Sequence, residues 1–311
     1  MNKEIRVVNQ AKGLVQITTV DERWYARPSH DRATGLPCYQ YVPSVTWITE
    51  HYPKGIGFYK WLANTGWDEA QALKEAAGDK GSKVHTAISA LLAGQTVKMD
   101  DAVTNPSTGQ PEALTLEEYQ AVMSFAAWHD AVKPILVAQD IVVWNDAEGY
   151  AGTVDAVFRF ANALWVVDFK TSKVIWPGHR MQVSAYREAN PAWKDAKLGI
   201  LQLGYARNQQ GYKFTEVEGC YPLFLHAKGI WAEETKGQQP SQRDYPLALT
   251  LAPAASPVAD AGQGATAGGT NGEVGRRTEA DGLRKSPSGR MAHGAHRGSP
   301  IRRAPGVQVQ K

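Results

Sequence analysis

Cysteine is almost absent from this chain. Cys38 and Cys220 are the two thiols in 311 residues, and they stand far apart. That excludes a four-cysteine zinc or iron–sulfur site and a disulfide framework. Long apolar runs are missing as well: no stretch reaches the ~18 residues of a membrane-spanning helix, and no N-terminal signal peptide is recognisable. A soluble, cytoplasmic protein with no membrane partner is expected. Internal repeats are also lacking. Charge of one sign is scarce, because the formal net charge is only +3. Beyond residue 250 nine Lys/Arg face four Asp/Glu, which leaves 25 basic and 27 acidic residues in the rest. A polyanionic partner must therefore be recognised through local basic clusters, since the global charge does not supply the attraction. What is present is an ordinary apolar fraction of 43%, with 10 Trp and 12 Tyr to fill a core. The length suits one large domain or two small ones.

Along the chain, the β-branched residues between Ile5 and Val20 predict a strand or hairpin. Ser44 is placed to cap a helix after Pro43. Gly55–Gly66 reads as a short helix with Phe58, Trp61 and Leu62 on its apolar side. Trp67–Ala77 is rich in helix formers. After Gly78 and Gly81 a new helix is expected, stopping at Gly94, with Val84, Ile88 and Leu91 as a buried stripe and His85 beside it. Residues 95–114, with Pro106, Gly109 and Pro111, read as a loop. Leu116–Val132 is an amphipathic helix closed by Pro134, and Ile135–Trp144 is a strand. Two further strands follow, one carrying Asp155 and one ending in Asp168-Phe169-Lys170, with a turn near Asn162. A helix then carries Gln182 and Tyr186. Leu198–Tyr205 and Tyr212–Val217 complete the strands, and Leu223–Thr235 suggests a last helix. From about residue 250 the chain is Ala/Gly/Pro-rich and then basic, with too little apolar surface to offset its ordering entropy, so a disordered tail is expected.

The chemistry concentrates in the paired strands. Asp155 follows Gly152-Thr153-Val154, and Asp168 follows Leu164-Trp165-Val166-Val167. Acids are seldom buried among such residues without a partner or a metal. One Asp alone is explained as well by a cap or an arginine pair; two on neighbouring apolar strands are not. Period-2 alternation puts Asp168 and Lys170 on one face. Two carboxylates suit a hard, oxygen-seeking cation such as Mg²⁺ or Mn²⁺. Beside it, Lys170 can orient or deprotonate a water and offset phosphate charge.

These residues carry a resemblance. Gly-Thr-Val-Asp ending at Asp155, Asp-Phe-Lys at 168–170, and Gln182 four residues before Tyr186 together resemble the RecB-type branch of the PD-(D/E)XK nuclease superfamily. Gly81-Ser82-Lys83-Val84-His85 matches that branch's upstream histidine motif, and Pro43-Ser44-Val45-Thr46 is similar to phage-type exonucleases. The resemblance covers roughly residues 41–190. It implies that His85, Asp155 and Asp168 are metal ligands with the backbone carbonyl of Phe169, and that Gln182 and Tyr186 contact substrate phosphates or brace Lys170. Many relatives place a Glu on the preceding strand; here Asp140 is the nearest acid and Gln139 the alternative. Lys173, His179, Arg180 and Arg187 are the nearby basic residues, with Trp176 for base stacking; a solvated surface explains each singly as well.

The expected fold is α/β with a restriction-endonuclease-like core: a central mixed sheet flanked by helices, and the metal site at the sheet edge. Residues 1–40 are read as an N-terminal extension, 41–249 as the nuclease domain and 250–311 as the tail. The resemblance implies a Mg²⁺- or Mn²⁺-dependent deoxyribonuclease, in the favoured form an exonuclease of recombination, repair or replication, in bacterial or phage-infected cytosol. Its partners would be DNA and a single-strand annealing or binding protein, and some members form toroidal trimers. Three rivals stand beside this reading: an endonuclease using the same site, a catalytically silent DNA-binding member, and a metal hydrolase of small phosphorylated molecules.

Overall fold

The computed structural model describes residues 4–9, 12–19, 21–30, 33, 35 and 37–240. All belong to the first of two compact units, Met1–Ala248, and the tail expected from residue 250 lies outside the described residues. In chain order, strands β1 (Glu4–Asn9), β2 (Leu14–Thr18), β3 (Arg23–His30) and β4 (Pro37–Pro43) form an antiparallel meander. The hairpin expected after Ile5 is its first half, and position 41 lies inside β4. Helices α1 (Val45–Glu50), α2 (Ile56–Thr65) and α3 (Trp67–Leu92) follow, then strands β5 (Ala102–Thr104) and β6 (Pro111–Ala113). After helix α4 (Leu116–Val132) come strands β7 (Ile135–Asn145), β8 (Tyr150–Phe160) and β9 (Ala163–Lys170), and helix α5 (Pro177–Glu188). Strands β10 (Lys197–Leu203) and β11 (Tyr212–Val217) and helix α6 (Tyr221–Glu234) close the described chain.

The central sheet has the order β11-β10-β9-β8-β7. β9 and β10 run parallel and the other neighbours antiparallel, so the sheet is mixed, as expected. Both faces are covered. Val45, Ile48, Met181, Val183 and Phe224 pack from α1, α5 and α6 on one face, with Val157 and Val166 beneath them. Val84, Ile88, Val122, Phe125 and Trp128 pack from α3 and α4 on the other, over Ala156, Phe158, Val167 and Phe169. Two-sided burial accounts for the nearly unbroken apolar runs of β8 and β9. Outside this stack, Trp24, Trp47 and Trp231 meet edge to face with centroids 5.0–5.9 Å apart and join the N-terminal meander to α1 and α6.

Ser44 caps α1 as expected, its Oγ accepting from Trp47 N at 3.0 Å. A stronger cap starts α4. There Thr115 Oγ1 accepts from Glu118 N, while Glu118 Oε2 accepts from Thr115 N at 2.8 Å, the reciprocal pairing of a capping box.

Three expectations are corrected. The helix break at Gly78 and Gly81 does not occur: α3 runs through both glycines, because each costs only about 1 kcal/mol and strong helix formers flank them. The apolar side assigned to Gly55–Gly66 is not buried, since α2 has no buried residue. The loop at 95–114 contains the β5–β6 ribbon. Asn105 organises its turn: Oδ1 accepts from Ser107 N at 2.9 Å, the Asn105 amide donates to Gln110 O, and Gly109 takes a φ of +68°.

β8 is irregular where it matters. Residues two apart on a strand ordinarily share a face, yet Val154 packs with the α5 cluster and Ala156 with the α3 cluster. Between them lies Asp155. Opposite, the β7 ladder steps from Gln139 to Ile141, and Asp140 takes a left-handed φ of +48°. Among the described residues no helix is long and apolar enough to cross a membrane.

Candidate active site

The β8–β9 ladder runs from Phe160↔Ala163 to Ala156↔Val167 and pairs no further. Beyond it the Phe169 amide donates to a side chain, Asp155 Oδ2, at 2.7 Å. The two strands fork, and the Asp155 carboxylate takes the acceptor role of the missing rung. The residues expected at the sheet edge therefore lie on two interior strands, at a fork next to the central strand β9.

Helix α3 crosses this fork with His85. Its Nδ1 lies 3.3 Å from Asp155 Oδ1 and its Nε2 3.0 Å from the Phe169 carbonyl oxygen. Beside them, Lys170 Nζ lies 2.6 Å from Asp168 Oδ2 in a buried ion pair. From α5, Gln182 Nε2 reaches Thr46 Oγ1 at 3.5 Å, and its buried Oε1 has no donor. Tyr186, four residues on, is buried against β8. The structure thus brings His85, Asp155, Asp168, Phe169 and Lys170 to one fork, with Tyr186 near enough to feel the Asp155 and Asp168 charges, while the contact of Gln182 is with Thr46 of α1.

Gly152 explains part of the motif. A Cβ there would sit 2.5 Å from Tyr186 Cε1 and 3.2 Å from Val45 Cγ2. The glycine of Gly-Thr-Val-Asp makes room for the tyrosine of the Gln182–Tyr186 helix. Gly152→Ala should therefore lower stability by about 1–3 kcal/mol through overpacking. Urea unfolding checks this, and Tyr186→Leu in the same chain should restore part of the loss. An unchanged midpoint in Gly152→Ala would show that the ring moves aside freely.

The electrostatics are divided. Burial opposes a charged His85, but the Asp155 charge and hydrogen bond outweigh it and raise its pKa above the ordinary 6.5. Burial likewise opposes the Asp155 carboxylate, and His85, Lys170 and the Phe169 amide outweigh it, leaving the pKa below 3.8. Asp168 goes the other way. Burial, aided by the Asp155 charge, pushes it up to about 6 against the pull of Lys170. Burial first, then the charges of Asp168 and Asp155, hold the Tyr186 phenol well above 10, so it stays a neutral hydroxyl.

The raised Asp168 carries a stability cost with a definite sign. The folded chain holds the Asp168 proton more tightly than the unfolded chain, so stability falls as pH rises from about 4 through about 6. At pH 8 the ionised carboxylate costs on the order of 2–3 kcal/mol. Asp168→Asn should unfold several degrees higher than wild type at pH 8 in chelator, with the gap closing near pH 4. Thermal scans at the two pH values check this; a variant less stable at pH 8 would refute the assignment.

Several donors fit a divalent cation. Both ring nitrogens of His85 face oxygen acceptors, and a neutral imidazole has only one N–H to offer. The Nε2–carbonyl contact thus needs either a second proton or a cation between the two atoms. Their 3.0 Å separation equals the spacing of about 3.0 Å between adjacent ligands of an octahedral ion held at 2.0–2.1 Å. The Asp168 carboxylate, 2.6 Å from the Lys170 ammonium, adds an anionic oxygen, and Gln182 Oε1 is a buried acceptor without a donor, a condition that costs free energy until a cation or water satisfies it. Among the described residues no three His, Cys, Asp or Glu side chains are drawn into a closed cage. Lys170 stands on Asp168 and His85 on Asp155 instead.

The other residues singled out in the sequence sit around this fork. Asp140 is exposed in its left-handed turn. Gln139 donates to Ser89 O at 3.2 Å, one helical turn beyond His85, and its Oε1 has no donor. Lys173, Trp176 and Arg180 are exposed after Lys170. His179 is not a cationic contact: burial and the Lys170 charge lower its pKa to about 3, and its Nδ1 faces Trp176 N at 3.4 Å. Arg187 is engaged elsewhere, with Glu188 and the Ala196 carbonyl. Sequence reasoning missed Tyr25, and named Thr46 only within the Pro43–Thr46 motif, with no role. Tyr25 Oη lies 2.7 Å from Thr153 Oγ1, inside the Gly-Thr-Val-Asp strand, and no local pattern in β3 announces that contact. Neither a family model nor a curated protein matches this chain.

Proposed function

We propose that this protein is a divalent-metal-dependent deoxyribonuclease with a restriction-endonuclease-like core, of the RecB and phage-exonuclease type, and that it degrades DNA from its ends. One observation carries the reading: an imidazole, two carboxylates, a backbone carbonyl and a lysine from three separate elements meet at the β8–β9 fork.

In this reading His85, Asp155, Asp168 and the Phe169 carbonyl would hold Mg²⁺ or Mn²⁺, which when bound supplies Lewis-acid polarisation of the phosphate. The chain's own groups do the rest. Asp155 Oδ1 fixes the His85 ring through Nδ1, which directs Nε2 outward, the carboxylate–histidine arrangement common behind metal ligands. The Phe169 amide fixes the other Asp155 oxygen. Lys170 is held by Asp168 at the mouth of the fork, where its ammonium can hold a water and offset charge growing on the phosphate. The neutral Tyr186 hydroxyl and the Gln182 amide line the α5 side. Lys173 and Arg180, on the exposed segment that follows, are placed for backbone phosphates, with Trp176 for a base. A single-strand annealing or binding protein is the partner this reading favours.

The test is digestion of an end-labelled linear duplex, its single strand and a closed circle, each with Mg²⁺, Mn²⁺ or chelator. Metal-dependent loss of linear DNA alone is the expected result. Nicking of the circle would make the protein an endonuclease on the same residues. Binding without cleavage of any substrate would replace the catalytic reading with a silent DNA-binding protein. Turnover confined to small phosphate esters would replace the DNA reading altogether.

A further inference from the structure

We infer that helix α2 is a base-stacking platform for single-stranded nucleic acid, an inference that rests on the nuclease reading and extends it to the substrate's flanking strand. The starting point is a helix that should not be exposed. α2 has no buried residue, although it carries Ile56, Phe58, Tyr59 and Trp61. Phe58 and Trp61 lie with ring centroids 5.7 Å apart and 40% of each residue exposed, so the two form one open aromatic surface. A helix of ten residues gains too little from its own hydrogen bonds to justify that exposure, and large exposed apolar patches mark interaction sites.

Charge identifies the occupant. Between Glu50 and Asp68 the chain has no acidic residue, and Lys60 stands between Phe58 and Trp61 in the sequence. Lys60 makes no ion pair among the described residues. Interfaces between protein copies are depleted in lysine at their centres, whereas aromatic rings interleaved with unpaired cations are the pattern of single-strand binding surfaces. Tyr59 packs edge-on against Phe58 with centroids 5.6 Å apart and, with Lys54, borders a cavity of about 700 Å³ that Glu50, Glu75 and Glu234 also line. That acidic side would repel a polyanion and leaves the Phe58–Trp61 side as the binding face.

The platform is also continuous with the fork. α2 leads directly into α3, which carries His85 eighteen residues beyond Trp67, about 27 Å along the axis. On the way, a Cβ at Gly78 would meet nothing within 4 Å, and one at Gly81 only the Thr171 hydroxyl at 3.8 Å. Thr171 is the residue after Lys170. The helix thus presents little bulk at its Gly78–Gly81 turn, beside Thr171, and a strand lying there can come close to the backbone.

The experiment measures binding without cleavage. Fluorescence anisotropy of a labelled oligothymidylate of about 20 nucleotides, in chelator, compares the full chain with Phe58→Ala/Trp61→Ala and with Lys60→Gln. Circular dichroism and gel filtration accompany each. The aromatic variant should bind roughly 10- to 100-fold more weakly. The lysine variant should show a shallower salt dependence. Equal affinity of the aromatic variant and wild type would overturn the inference. So would a change from dimer to monomer with unchanged oligonucleotide affinity, which would make a second copy of the chain the occupant. Absence of binding by the wild type overturns it as well. The two readings fail separately: intact DNA in the digestion assay with α2-dependent binding removes the nuclease, and metal-dependent digestion with α2-independent binding removes the platform.

Discussion

Lys170→Ala should reduce metal-dependent DNA hydrolysis by about 10³-fold or more in kcat, within the range lost when a positioned proton-transfer or charge-stabilising group is removed. The side chain lies at the mouth of the fork with a fifth of its surface exposed, against an Asp168 side chain that is only 3% exposed. Its removal has a second effect that separates it from a merely structural change. Burial already holds Asp168 at about 6 against the pull of Lys170. Without that pull the carboxyl rises further, so a proton competes with the cation over a wider pH range. Mn²⁺ binding by the variant, followed by calorimetry, should therefore weaken more at pH 6 than at pH 8. Lys170→Arg should not restore activity, because a planar fork cannot replace a compact ammonium at this spacing. A variant that keeps a tenth of wild-type turnover would remove Lys170 from the chemistry.

The largest stability effect belongs to a residue two positions before His85. Lys83 and Glu118 are both buried, with Nζ and Oε2 2.8 Å apart, and Glu112 stands 3.6 Å from the same Nζ. Glu118 also closes the capping box that starts α4. Lys83→Met strands the Glu118 carboxylate in the interior, at a cost of about 3–5 kcal/mol. In a domain of this size that lowers the unfolding temperature by roughly 10 °C. The double variant Lys83→Met/Glu118→Gln should recover much of the loss, since a glutamine still accepts from the Thr115 amide and leaves no buried charge. Urea unfolding of the four chains in a cycle measures the coupling. A single variant within about 1 kcal/mol of wild type would mean that water reaches Glu118.

The parts of this architecture that the sequence made legible are those with local causes. The cap at Ser44, the strand runs of β8 and β9 and the turn at Asn162 depend on side chains within a few residues of the structure they specify. The face shared by Asp168 and Lys170 followed from strand alternation and holds. The same rule fails at Asp155, because β8 is irregular there, and only the pairing with β7 reveals it. The break expected at Gly78 and Gly81 failed for a different reason: helix propensity is a sum over a window, and two glycines do not outweigh twenty-four other residues. The apolar side of α2 was legible but its exposure was not, because periodicity reports amphipathicity and cannot say whether another part of the chain covers the face. Tyr25 was out of reach, since its contact spans 128 positions.

That contact bears on modularity. Tyr25 holds Thr153 at 2.7 Å, Gln16 holds Tyr25 at 2.8 Å, and the Ser44 amide donates to Arg23 O while Ser44 bridges to Ala151. The first forty residues, which composition alone separates as an appendage, are the wall against which the Asp155 strand is set. The segment that carries the motif residues is consequently not a cassette that starts at residue 41. A graft or shuffled gene that cuts there would carry every motif residue and leave behind the surface that keeps Gly152 and Thr153 in line, whereas a junction placed beyond the meander's other end, before β1, keeps the unit whole.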